Sequence, residues 1–183
     1  MLVFIAWFNQ LDGQLPAEFA QYCQNLDLLW IGYNQLSGDI PQEFSSLIKM
    51  RSLHLGSNLF NGIVPVDPNV MTGLSELWVF NNNFVDIPDL SPLENTLAIL
   101  EVQNNYFDFA DLGPLTFMIG KHFLYSPQKA LSSTITEFVE PGESYAMNVS
   151  QNDDRIDYTW YHNRDLLSGS SGQEITVSMN DLS

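Results

Sequence analysis

Residues 26–49 read LDLLWIGYNQLSGDIPQEFSSLIK, and their spacing returns on both sides with the same residue types at the same offsets. With Asn34 as origin, Leu26, Leu29 and Ile31 stand eight, five and three positions before it and Leu36 two after it; Gly38, Ile40-Pro41, Phe44 and Leu47 follow. The same frame puts asparagine at 9, 34, 58, 82 and 105, with Gln128 in the sixth place, in steps of 25, 24, 24, 23 and 23 residues. So short and regular a period predicts a solenoid, in which one strand plus a short return forms a coil that buries its apolar side only against neighbouring coils.

Within such a coil alternate strand residues point into a narrow interior, so Leu29, Ile31, Leu36, Ile40, Phe44 and Leu47 are expected to stack on their counterparts one coil away. The asparagine turns the chain out of the strand with its amide inward. A buried amide needs hydrogen bonds, and backbone groups of its own and the adjacent coil are the available partners.

The pattern resembles a leucine-rich repeat, and Leu-Ser-Gly-Asp-Ile-Pro at 36–41 is similar to the L-x-G-x-I-P variant of plant-type extracellular repeats. Phe4, Ala6, Asn9, Leu11, Gly13 and Leu15-Pro16 keep that frame before it, and Leu53, Leu55, Asn58, Phe60, Gly62 and Val64-Pro65 keep it after. The coils of Leu77, Val79, Asn82, Phe84 and of Leu100, Val102, Asn105, Phe107 lose the glycine, so a shorter or differently shaped return is expected there. The resemblance implies an α/β class, right-handed leucine-rich-repeat solenoid over residues 1–128, about five coils plus a terminal strand, with a parallel concave sheet. Phe123 and Tyr125 offer the last strand positions, and Pro127 stops the ladder.

The chain carries 22 acids against six bases, a net charge of −16. Nucleic acid is excluded as a partner, because a phosphate-binding surface needs clustered Lys and Arg; the acidity reads as a solubility feature. Cys23 stands alone and cannot form an internal disulfide. Its frame position makes it a small core filler, and His54, His122 and His162 all lie away from it, so it lacks the base a nucleophilic thiol requires. The opening MLVFIAWF lacks a basic start and a cleavage site, and is in register as the first strand. No apolar run reaches the roughly 18 residues of a membrane span. The first coil begins without a polar cap, so a preceding part of the natural protein, or a packed partner in its place, is expected there.

From 129 to 183 the period disappears. Segments such as SSTITEFVEPGESYAMNVS, DYTWYHNRDLLSG and QEITVSM alternate apolar and polar residues between turn signals, Ser168 to Gly172 among them, and predict short antiparallel strands. Tyr158, Trp160 and Tyr161 with Leu166-Leu167 resemble strand C of an immunoglobulin-like domain, with 144–149 as strand B and 173–179 as strand E. Met147 stands near the usual cysteine, and strands F and G are missing, so an incomplete all-β sandwich is expected. Asn148-Val149-Ser150 fits a glycosylation sequon. Asp153, Asp154 and Asp157 lack the ordered spacing of a calcium loop and read as a solvated turn.

The function is expected on the concave side, where residues between the inward ones point. Four positions before each asparagine come Ile5, Trp30, His54, Trp78 and Glu101; two before, Trp7, Gly32, Gly56, Phe80 and Gln103; one before, Phe8, Tyr33, Ser57, Asn81 and Asn104. Trp7, Trp30, Tyr33, His54, Trp78, Phe80 and Glu101 form the candidate ligand site, because clustered outward aromatics are interface residues by preference. The competing reading is that these rings only brace an exposed sheet. Rings flanked by Gly32 and Gly56 suit a sugar or a peptide, and the sequence does not choose between them. No nucleophile-and-base pair, paired carboxylates or metal spacing is present, so no catalytic residue, metal or cofactor is expected. The chain reads as a non-catalytic binding or adhesion module, extracellular or at a cell surface, taking a protein, peptide or glycan ligand. The alternatives are an ectodomain fragment of a signalling receptor and the non-catalytic part of a secreted enzyme.

Overall fold

Alternation of apolar residues with a 23–25-residue repeat produces the expected ladder of short strands. The structure is a computed structural model that describes residues 1–129 and, beyond them, the four strands Ser144–Asn148, Thr159–His162, Asp165–Ser171 and Glu174–Ser178. The chain divides into two compact units, Met1–Leu131 and Ser132–Ser183. In the first, β1 (Leu2–Ile5), β2 (Asp12–Gly13), β3 (Leu26–Trp30), β4 (Gln35–Asp39), β5 (Ser52–His54), β6 (Leu59–Ile63), β7 (Glu76–Trp78), β8 (Asn83–Asp86), β9 (Ile99–Glu101) and β10 (His122–Leu124) follow in order. They sort into two parallel sheets, β1-β3-β5-β7-β9-β10 and β2-β4-β6-β8. The first strand, Leu2–Ile5, thus lies within MLVFIAWF, as its register predicts.

Parallel pairing aligns each coil on the next. Leu29 pairs with Leu53, Leu53 with Leu77 and Leu77 with Leu100, and all four are buried. Behind them Leu36, Phe60, Phe84 and Phe107 make a second buried row, with the rings of Phe60 and Phe84 stacked 6.3 Å apart. Ile40, Phe44 and Leu47 are also buried, so every inward residue expected of the second coil is in the core. Each interior is too thin to be a core by itself, which makes stability a property of adjacent coils. At the first coil the inward Phe4 and Leu11 remain 40% and 42% exposed, having neighbours on one side only.

The asparagines lock the coils together. Asn58 Nδ2 donates to the carbonyls of Ile31 (3.1 Å) and Leu55 (3.0 Å), while its Oδ1 accepts the Leu36 N–H at 3.0 Å. Asn34, Asn82 and Asn105 repeat this bridge with Leu11, Phe60 and Phe84 as donors. Gln128 takes the sixth place, its Nε2 donating to Val102 and Tyr125 and its Oε1 accepting the Asn105 N–H at 3.0 Å. Its extra methylene shifts the accepted donor by two residues relative to the asparagines. Asn9 differs: it is exposed, and its side chain donates to the Trp7 carbonyl two residues back rather than to an adjacent coil.

The residue before each ladder asparagine adopts the left-handed region: Phe8, Tyr33, Ser57, Asn81 and Asn104 have φ of 51–58°. Such a conformation costs a non-glycine residue energy, and here it is held by bonds to the next coil, as from Tyr33 N–H to Gly56 O (2.8 Å) and Ser57 N–H to Phe80 O (2.8 Å). Four residues after the asparagine, Gly38 and Gly62 are also left-handed, at φ 79° and 72°. The fourth coil has Asp86 at that place, and the β6–β8 register shifts between Gly62 and Ile63. The loss of glycine therefore reshapes the return as expected. In the fifth coil the second-sheet strand gives way to α2 (Phe109–Leu112) and a 3-10 turn, Gly113–Met118; the first coil carries α1 (Ala17–Tyr22). α2 begins with a reciprocal pair: Asp108 N–H donates to Asp111 Oδ2 (2.9 Å) and Asp111 N–H to Asp108 Oδ1 (3.1 Å). Burial, reinforced by the charge of Asp108, pushes the Asp111 carboxyl up to about 6 despite the Asp108 N–H.

Two details differ from the sequence reading. Tyr125 lies past the end of β10 and is half exposed, its ring 5.0 Å from that of Phe123, so only Phe123 packs on the core. The Ser-Gly-Ser-Ser-Gly stretch is not a turn throughout: Asp165–Ser171 is a strand paired antiparallel with Thr159–His162 at Asp165, Leu166 and Ser171, with a register irregularity between Thr159 and Tyr161. Ser144–Asn148 pairs antiparallel with Glu174–Ser178. Antiparallel strands thus occupy the predicted segments, while the packing of these pairs into a sandwich and the Asp153–Asp157 turn lie outside the described residues.

Candidate functional site

The residues six, four and two positions before each asparagine, and the one just before it, stand on the outward face of the six-stranded sheet. Their rings form one connected cluster across β1, β3, β5 and β7. Phe8 stacks on Tyr33 at 4.2 Å, and Trp7 contacts Phe8, Tyr33, Trp30 and His54 at ring separations of 5.1–6.1 Å. Trp30 meets Trp78 edge-on at 6.4 Å, and its indole N–H donates to Ser52 Oγ at 2.7 Å.

His54 is the centre of the cluster. Its ring lies 5.2 Å from Trp7, 6.2 Å from Tyr33, 5.2 Å from Trp78 and 5.6 Å from Phe80, and the residue is only 7% exposed. Nδ1 is buried without a hydrogen-bond partner among the described residues. Desolvation by this aromatic box holds the imidazole below its ordinary pKa and favours the neutral form.

The two glycines of the face have a structural reason. A Cβ on Gly32 would lie 2.4 Å from His54 Nδ1, and one on Gly56 would lie 2.6 Å from the Phe80 ring. Each glycine is the floor for a ring of the following coil. The gaps that suggested sugar-sized slots in the sequence are filled by the protein's own side chains, and Phe80 is accordingly 8% exposed. Of the predicted set, His54 and Phe80 are buried struts, whereas Trp7, Trp30, Tyr33 and Trp78 keep part of their surface in water.

Beyond Trp78 the face becomes polar. Glu101 is the cross-strand partner of Trp78, and its Oε1 lies 2.7 Å from His122 Nε2. Asn104 Nδ2 donates to Asn81 Oδ1 (2.7 Å), and Asn81 Nδ2 to Ser57 Oγ (3.1 Å). The Gln103 amide oxygen is buried without a partner among the described residues. Sequence reasoning left out Phe8, at 68% exposure the most open ring of the cluster, and His122, whose Nε2 bonds the Glu101 carboxylate. Both were readable from the frame, Phe8 one position before Asn9 and His122 six before Gln128.

Residues 25–47 match the family model of the leucine-rich repeat. The leucine-rich-repeat ectodomain of the plant membrane receptor kinase GASSHO1/SCHENGEN3 from Arabidopsis thaliana, solved in complex with Casparian strip integrity factor 2, is 27% identical, with a TM-score of 0.57. The match covers 70% of this chain and 16% of that one. Residues 1–129 fold as a leucine-rich-repeat solenoid. Two further repeat structures align more loosely. The BIR2 ectodomain of Arabidopsis thaliana has 25% identity and a TM-score of 0.46, over 56% of this chain and 53% of its own. The repeat protein LIC12759 of Leptospira interrogans has 21% identity and 0.48, over 68% and 37%. The chain thus spans about half or less of the length of each of these repeat structures. No curated protein matches it in sequence. Among the described residues, no helix is long and apolar enough to cross a membrane.

Proposed function

We propose that the solenoid is a non-catalytic recognition module that binds an extended peptide or protein segment across the outward face of its six-stranded sheet, in an extracellular setting. The observation that carries this reading is the row of partly exposed rings, Trp7, Phe8, Trp30, Tyr33 and Trp78, on a surface whose gaps are already filled by His54 and Phe80. A ridged, continuous apolar strip favours a chain with side chains at intervals over a flat glycan ring. Amphipathic rings at an exposed surface also give large contact area for little conformational entropy.

The similarity to a receptor ectodomain solved with a bound factor supports a second, narrower reading, in which these coils belong to the ligand-sensing part of a signalling receptor. The plant-type character of the repeat and the immunoglobulin-like character of 129–183 rest on the sequence motifs quoted above. The test is a display screen of peptides against the chain. Binders should lose about tenfold or more in affinity on Tyr33→Ala or Trp30→Ala, the scale of an aromatic hot spot. Binders indifferent to both substitutions would refute the site.

A further inference from the structure

The ring column ends abruptly at Trp78. His54 stacks on one face of its indole, with 28° between the planes, and β9 on the opposite side supplies Glu101 as the cross-strand neighbour of Trp78. Glu76 stands two residues before Trp78 on the same face, half-buried like Glu101. At the outward positions of all six strands, six, four, two and one before each frame residue, no Lys or Arg occurs. The groups able to carry positive charge there are His54, buried in its aromatic box, and His122, bonded to Glu101. An indole face beside a half-buried carboxylate attracts a cation by its quadrupole and by a charge-assisted hydrogen bond.

We propose that the step between Trp78 and Glu101 receives a lysine or arginine side chain of an extended peptide, whose apolar residue four positions away lies over Trp7, Phe8 and Tyr33. This rests on the recognition reading above. The spacing follows from the sheet. From midway between β1 and β3 to midway between β7 and β9 is three strand intervals, about 14 Å at the usual spacing. Four residues of an extended chain span about 13 Å and bring two side chains to the same face.

The probes are end-capped nonapeptides of glycine and serine with phenylalanine at the third position and arginine or its neutral isostere citrulline at the seventh. Binding is read from the indole N–H resonances of Trp30 and Trp78 during titration. The arginine peptide should bind about tenfold more tightly than the citrulline peptide, with the advantage shrinking as salt is added. Glu101→Gln should reduce the difference to within about twofold, with the arginine peptide taking the larger loss. Equal affinity for both peptides, with both weakened by Trp30→Ala, overturns the cation site and leaves the recognition reading standing. A Glu101→Gln loss shared equally by both peptides also overturns it, since that is a structural effect. Unmoved indole resonances at several millimolar of either peptide overturn both readings.

Discussion

Asn58→Ala isolates what the amide ladder contributes. The side chain is buried and makes three bonds, two as donor and one as acceptor. The two carbonyls keep a partner without it, because Ile31 O also accepts Asn34 Nδ2 at 2.9 Å and Leu55 O accepts Asn82 Nδ2 at 3.0 Å. The damage falls on the Leu36 N–H, which loses Oδ1 inside the stack where no water replaces it. One orphaned buried donor plus a small cavity costs roughly 2–3 kcal/mol. Asn9→Ala is the internal control: its amide is exposed and bonded locally, so the change should stay within about 0.5 kcal/mol. Urea unfolding followed by circular dichroism measures both. Equal midpoints for the two variants would refute the bridging account, whatever their absolute values.

Gly56→Ala should destabilise by about 1–3 kcal/mol, because the new methyl displaces the Phe80 ring; an unchanged thermal midpoint would show that the ring is free to move. His54 has its pKa lowered by folding, so its contribution is complete above the unfolded value near 6.5 and declines as pH falls through the folded one. Relative to His54→Phe, the parent should therefore lose stability below about pH 6.5, and parallel curves for the two would reject a buried neutral imidazole. Asp111 has the opposite sign: its raised pKa makes ionisation unfavourable, so stability falls as pH rises from about 4 to about 6. Asp111→Asn should flatten that decline without loss of stability at pH 7, and a variant less stable at pH 7 would mean that the charge is favourable there.

The sequence by itself determined the solenoid. Period, inward leucines and the asparagine frame follow from local rules, since each coil repeats one strand and one turn, and Leu29, Leu53, Leu77 and Leu100 stack as their spacing requires. It also placed the residues four, two and one before each asparagine in their columns, and Gln128 in the asparagine's role. Tertiary structure decided what that face is. His54 and Trp78 are one strand apart yet 24 residues apart in sequence, so neither the box around the imidazole nor the burial of Phe80 can be read from a column of letters. Gly32 and Gly56 looked like openings because a sequence shows the absence of a side chain. Only the packing of the following coil shows that His54 and Phe80 already occupy the space, since ring orientation depends on contacts between coils rather than on position within one.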